Sequence, residues 1–552
     1  MNKKKLLIYA GIFLLATANV FAGSNDKGIE YFRAELYDAA KIFFLQQTNQ
    51  SAVEKAENYY YLGQTYNQLN QSDSASYYYR KAIETSPEYP FGYIGEGKME
   101  LKKGNTKVAE DLFKKANNYA KKDASIQTTI AEVYVDAGDY NNATIALDRA
   151  RRVNSKYSGI YIAEGDMLMK KGDIGGACAR YDNAIHFDKH DKLAYLKLAQ
   201  VYKDVNVNVA LEYLDKLKAI DPNYIPAYAV IGDINRERGK YQDALNAYEK
   251  FISIPGVSTA QHEYYAQLLY FDNQFDKAEE KIKSILVNDP NNLVMKRIEA
   301  YNSFRQENYT LGLEQMKTFL KIMPQERHIY QDYTTLAQLA LKEKDNKASL
   351  DAFQKAIDLD PERAQGDDLY KQMATIASNA RMFNETIALY EKYFTVAEAP
   401  DALDYYNYGQ AYYALASSLV SSGLDSEAKL KDFVQKGDKS YVEVISKRPN
   451  SHLGYMGRAN IHSLLDIFDL NNGRTMQGYA KPFFENALKV MMENNTEGAR
   501  NRDIVTVYDY FVSYYAAITD IPNVTEYSKM ILQLDPNNAK AKATLDLLKV
   551  KY

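Results

Sequence analysis

Apolar and polar positions alternate along this chain with a period of three to four residues, interrupted by short polar stretches. The segment Ala56–Tyr89 shows the unit. Counting Ala56 as position 1, apolar or aromatic residues fall at Tyr59, Leu62 and Tyr66, then, after the polar run Asn67–Ser74, at Ala75, Tyr79 and Ala82. Spacings of three and four place such residues on one face of a helix. The segment therefore predicts two amphipathic helices joined by a turn. Gly63 and Ala75 are small where the two backbones would cross, and Pro87 lacks the N–H that a continuing helix needs. Two helices of this size cannot bury their own apolar faces, so the unit requires neighbours.

The neighbours are present. The same pattern begins at residues 21, 56, 90, 124, 158, 192, 225, 259, 293, 330, 367, 402, 450 and 505, mostly in steps of 33 to 35. Position 20 reads Ala40, Ala75, Ala109, Ala143, Ala177, Ala210, Ala244 and Ala278, provided that one turn residue is missing from the sixth unit. Position 24 is bulky in every unit except the last, where Ser528 stands. Gly104, Gly138, Gly172 and Gly239 recur at position 15, where the first helix must end and a positive φ is useful. No alternating run bounded by turns supports a β domain. The expected fold is an all-α superhelical solenoid of about fourteen helix-turn-helix units.

Residues 23–400 read as the regular array. From 401 to 495 the units are enlarged, with Ser421-Ser422-Gly423 as a displaced turn, Asn471-Asn472-Gly473 in extra sequence, and Pro482 in the first turn of a new helix. Residues 496–552 read as a terminal unit, with an amphipathic capping helix over Asn537–Tyr552.

The pattern of Tyr59, Leu62, Gly63, Tyr66, Ala75, Tyr79, Ala82 and Pro87 resembles the tetratricopeptide repeat, with Tyr59 where that family prefers Trp. The resemblance implies the solenoid above. It also implies a protein-binding scaffold or adaptor without chemistry of its own, which uses the first helix of each unit to line a concave groove. The Lys and Asn with which some members clamp a terminal carboxylate are not matched here.

The first 22 residues are different in kind. Lys3, Lys4 and Lys5 precede a 13-residue, largely apolar run from Leu6 to Ala18, and Ala22 closes a small-residue cleavage pattern. This reads as a secretory signal peptide, with the mature chain starting at Gly23. Export makes the single Cys178 informative, because one cysteine allows no internal disulfide. The expected location is the bacterial envelope, either periplasmic or peripheral to the outer membrane, with no transmembrane span after cleavage.

Formal net charge is −4 with no concentrated basic stripe, so nucleic acid is not an expected partner. The chain contains no GxSxG elbow, HExxH or glycine-rich phosphate loop. No enzyme activity, metal or cofactor is expected. Envelope proteins or peptides are the expected partners; polysaccharide is the alternative, because tyrosine-lined grooves also stack on sugars.

The 49 tyrosines divide into two groups. Tyr66, Tyr79, Tyr134, Tyr181, Tyr202 and Tyr248 occupy packing positions. Tyr60, Tyr270, Tyr301, Tyr406 and Tyr413 fall where the resemblance puts the groove, and tyrosine suits recognition surfaces because it combines a large apolar face with a hydroxyl. Position 9 of successive units reads Lys98, Glu132, Asp166, Gln200, Asp233, Gln267 and Tyr301. With Arg236, Tyr270, Arg297, Phe304 and Arg305, these form the candidate partner-binding groove. Its mixed charge does not indicate a ligand of a single sign.

Overall fold

The computed structural model describes residues 25–47, 50–366, 368–423, 426–493 and 501–551. The signal-peptide reading lies outside them. Among the described residues there are thirty α-helices, one short 3-10 helix and no strand. No described helix is long and apolar enough to cross a membrane. The chain divides into two compact units, one up to Asn302 and one from Ser303.

In each unit consecutive helices pack as antiparallel pairs. The pair Ala52–Gln68 and Ser72–Thr85 shows why. Ser51 accepts the Glu54 backbone N–H at 3.3 Å while the Glu54 carboxylate accepts the Ser51 N–H at 2.9 Å, a reciprocal cap on donors that a helix start leaves unpaired. Ala75 and Tyr79 on the second helix are fully buried. A Cβ placed on Gly63 would come within 2.4 Å of the Tyr79 ring, so only glycine lets that ring lie flat against the first helix. Burying a large apolar side chain of this kind stabilises by about 1.5–3 kcal/mol.

The position 20 alanines from Ala40 to Ala278 are all fully buried, and the position 24 residues, including Phe44, Leu147, Tyr181, Met316, Tyr390 and Tyr441, form the centre of the stack. The position 15 glycines have φ between +69° and +84°. In the sixth unit Asn206 alone separates Lys192–Val205 from Val207–Ile220, and its side chain caps the second helix.

Several elements depart from the expected pattern. Pro361 does not simply end its unit. It opens the short helix Pro361–Gly366, since a proline tolerated at the first helical position can start a helix as well as stop one. The final helix runs Ala539–Leu547, shorter than expected, because Lys549 takes a left-handed conformation with φ +57°. Ala541 and Leu545 are nevertheless buried. In the seventh unit the second helix, Tyr241–Tyr248, has only eight residues and gives way to turns that reach Gly256.

The enlarged units contain the helices Ala402–Ser421, Glu427–Lys447 and His452–Asn471, of 20, 21 and 20 residues. Their extensions cover one another: Val420, Leu430, Val434, Leu464 and Phe468 share one apolar cluster with Leu419 packed on it, while Ile467 and Leu470 stay exposed. The loop after Gly473 is held by Asp466. Its fully buried carboxylate accepts the backbone N–H groups of Gly478, Tyr479 and Ala480 at 2.7, 2.9 and 3.0 Å, and the Tyr510 phenol at 2.8 Å.

Candidate functional site

The first compact unit closes on itself. The helix Asp26–Arg33 packs against Ile225–Glu237, six repeats further along the chain. Ile225 and Ile254 join the apolar cluster of Tyr31, Leu36, Ala39, Ala40 and Phe44. Lys192 bridges Glu30 at 3.1 Å and Asp221 at 2.8 Å, and its ammonium lies 4.7 Å from the Tyr224 ring centroid. A Cβ on Gly256 would stand 2.8 Å from the Ala39 nitrogen, so the turn after the shortened helix makes backbone contact with the first repeat.

Closure leaves a cavity of about 700 Å³ inside the first unit. One wall comes from Phe32, Arg33, Glu35 and Tyr37 of the first repeat. The floor comes from the first helices of later repeats, Pro90–Lys102, Ala124–Asp136, Ser158–Lys170 and Lys192–Val205. Lys98, Glu132, Asp166 and Gln200, the position 9 residues of these four helices, all line it. The repeat places them together, because stacked units present the same position to the same face.

The remaining groove candidates do not line this cavity. Asp233 accepts the Tyr248 phenol at 3.1 Å, and the Arg236 guanidinium lies 5.0 Å from the Tyr264 ring centroid. Gln267 and Arg297 are half-buried. Tyr270 and Tyr301 belong to the first unit, with ring centroids 6.4 Å apart. Tyr301 is buried, as is Tyr60 against Tyr61, Tyr79 and Phe91; both are packing residues and not groove surface. A position that faces the groove in one repeat is covered when large neighbouring rings fold over it. Phe304 and Arg305 belong to the second unit, where Phe304 packs on Tyr309 and Arg305 is exposed.

The cavity floor is a ladder of charges joined between repeats. Asp136 accepts Lys98 at 2.8 Å and Lys170 at 2.7 Å. Asp166 accepts the Tyr181 phenol at 2.7 Å and pairs with Lys197 at 3.0 Å. Burial alone would raise the Asp136 pKa, but the two lysines outweigh it and hold it below the usual carboxylate range. Asp136, Lys170 and Lys197 do not stand at position 9 and escape a search of that column. Asp136 and Lys170 share position 13 of successive units, 34 residues apart, and that spacing is the signal that finds them.

Glu132 is the exception. No cation pairs with it, and its carboxylate makes no hydrogen bond among the described residues. Its side chain is exposed within the cavity, with protein on several sides of it. Enclosure first, and the Asp166 carboxylate second, raise its pKa, to about 7. Lys98 and Lys197 oppose the rise without closing on it. The Glu132 charge also contributes to raising the Tyr157 phenol to about 12, after burial.

The tetratricopeptide repeat family model matches residues 56–89, 225–256 and 333–363. Those three segments are tetratricopeptide repeats. Anaphase-promoting complex subunit 3 of Schizosaccharomyces pombe is 22% identical over 241 residues, 43% of this chain and 36% of that protein. The TPR repeat-containing protein YpiA of Bacillus subtilis is 20% identical over 209 residues, 38% of this chain and 49% of that protein. The chain thus spans between a third and a half of the length of these two relatives. Among solved structures, the C-terminal part of a TPR repeat-containing protein from Cytophaga hutchinsonii is 24% identical, covering 51% of this chain and 99% of that one, with a TM-score of 0.36.

Proposed function

We propose that this chain is an exported adaptor of the bacterial envelope that holds an extended stretch of partner polypeptide inside its closed first unit. The observation that carries the reading is the cavity, where position 9 residues of four successive repeats meet the first repeat across a space of about 700 Å³. The chemistry of the walls suits a peptide. Thr129, Gln68 and Gln200 offer donors and acceptors to a backbone, and the half-buried Phe32, Met169, Leu193 and Val201 offer apolar contact to side chains.

The test is photo-crosslinking in the native cell, with a benzophenone amino acid at Gln200 in the cavity or at Val287, which is 79% exposed on a second helix. The reading expects defined polypeptide adducts from Gln200 and none shared with Val287. The same adducts from both positions, or none from Gln200, would count against it. Export rests on the character of the first 22 residues, and N-terminal sequencing of the native protein should begin at Gly23.

A further inference from the structure

A second hollow, of about 650 Å³, lies between the second helices of the third and fourth repeats. Glu110, Lys114 and Asn117 of Thr106–Tyr119 line one wall, and Ile145, Arg149 and Val153 of Tyr140–Val153 line the other. Steps of three and four hold each set to one helix face. The floor is Gln127, Ile130 and Tyr134 of Ala124–Asp136, the helix whose other side, at Thr129, Glu132, Val133 and Asp136, lines the cavity described above.

Tyr134 supplies this floor with a polar group that the fold leaves unpaired. The residue is only 7% exposed, with its ring edge-on to Phe113 at 5.5 Å between centroids, yet its hydroxyl makes no hydrogen bond among the described residues. Buried polar groups ordinarily have partners, and the packing role of Tyr134 needs only its ring. Beside it the buried Gln127 donates to Asn117 at 2.9 Å, which fixes that amide at the wall and leaves its own N–H donors free.

The charges of the lining favour an anion. Lys114 faces Asp111 at 3.8 Å, so it is already matched by a carboxylate outside the hollow. Lys121 and Arg149 have no ion pair among the described residues, and Glu110 is the one lining carboxylate set against them. Burial raises the pKa of the Tyr134 phenol, Glu110 and Asp139 add to the rise, and Arg149 opposes it. Asp139 is occupied in capping Tyr140–Val153. The exposed apolar lining is aliphatic, at Ile145 and Val153, while Phe113 and Tyr134 are buried. That arrangement offers no open aromatic face for a sugar to stack on and suits amino-acid side chains.

We propose that this hollow binds an acidic segment of polypeptide. The planar fork of Arg149 takes an aspartate or glutamate carboxylate, with Lys121 as a second cation. The Tyr134 hydroxyl and the Asn117 amide take the segment's backbone, and Ile145 and Val153 cover its apolar side chains. The site is separate from the cavity and does not rest on the reading above.

The test uses the full-length protein and blocked pentapeptides, acetyl-Val-X-Gly-X-Val-amide, with X as glutamate, glutamine or lysine, and trigalacturonate as an acidic saccharide. Ligand-observed NMR titration reads their relative affinities. The glutamate peptide is expected to bind at least about tenfold tighter than the glutamine peptide, the usual scale for a hydrogen bond to a charged group, and the lysine peptide is expected to bind weakest. Arg149→Gln should remove the glutamate preference. Tyr134→Phe, which keeps the ring and removes only the hydroxyl, should weaken the glutamate peptide about fivefold. Arg152→Gln, at an exposed position outside the hollow, should leave binding unchanged, and all three variants should keep the circular dichroism of the parent. Equal binding of the glutamate and glutamine peptides, or no binding of any peptide, would overturn the inference. Tighter binding of trigalacturonate than of the glutamate peptide would overturn the polypeptide assignment. A loss in Arg152→Gln as large as that in Arg149→Gln would overturn the site, and full affinity in Tyr134→Phe would overturn the role of the hydroxyl. None of these outcomes bears on the cavity, which crosslinking from Gln200 reads separately.

Discussion

Lys192 and Glu30 lie 162 residues apart in the chain and meet at 3.1 Å. Their contact marks where the first repeat reaches the repeats that follow it by most of a unit. Burial alone would depress the Lys192 pKa, but Asp221 and Glu30 together raise it. Both partners retain some exposure, so the pair is a modest contributor. Lys192→Met keeps the stem and removes the charge, and should destabilise the first unit by about 1 kcal/mol. Hydrogen exchange should show the loss locally, as faster exchange in Asp26–Arg33 and little change in Ala124–Asp136.

Gly256 and Gly104 separate two costs of replacing a glycine. Both have positive φ, +85° and +84°. A Cβ on Gly104 meets nothing within 4 Å, whereas one on Gly256 meets Ala39 and Asp38 backbone at 2.8 Å. Gly104→Ala should therefore cost only the backbone term, about 1 kcal/mol. Gly256→Ala should add about 1–3 kcal/mol of overpacking and loosen the closure. Thermal or denaturant unfolding of the two variants checks the difference, which vanishes if the turn does not touch the first repeat.

The Glu132 carboxyl gives a dependence on pH. Its folded pKa, raised to about 7, lies above the ordinary 4.5, so folding favours the neutral acid. The stability this contributes is complete below about 4.5 and is lost as pH rises through 7. Glu132→Gln, permanently neutral, should match the parent at pH 4 and be more stable than the parent at pH 8. Melting temperatures of both proteins across that range test the sign, and a variant less stable than the parent at pH 8 would reverse it.

Asp466 should be the least replaceable carboxylate of the enlarged units. Three backbone N–H groups and the Tyr510 phenol converge on it, with no exposure to water. Asp466→Asn keeps the shape but turns one acceptor into a donor facing other donors. The expected loss is about 2–4 kcal/mol, with new protease sensitivity between Arg474 and Tyr479.

The repeat was readable because its packing positions are local in sequence. Alanines at position 20 and bulky residues at position 24 recur every 33 to 35 residues, and their burial follows from that spacing alone. Four of the position 9 residues, Lys98, Glu132, Asp166 and Gln200, gather on the cavity floor for the same reason. Closure was not readable, because Glu30 and Lys192, or Gly256 and Ala39, are linked by the cumulative rotation of many repeats and by no motif. Nor was the burial of Tyr60 and Tyr301, which depends on which neighbouring ring folds across them. Asp466 looked like one of many helical acids; its role depends on a loop whose path has no periodicity.

The first repeat closes on the seventh and so creates the cavity, and the distance across that closure tests this most directly. Nitroxide labels at cysteines replacing Lys41 and Ser253, in a Cys178→Ser background, report it by pulsed electron resonance in solution. Closure predicts one narrow population at short distance, broadened and lengthened by Gly256→Ala. A broad distribution reaching long distances in the otherwise unaltered protein would contradict the closure, and with it the cavity on which the proposed function stands.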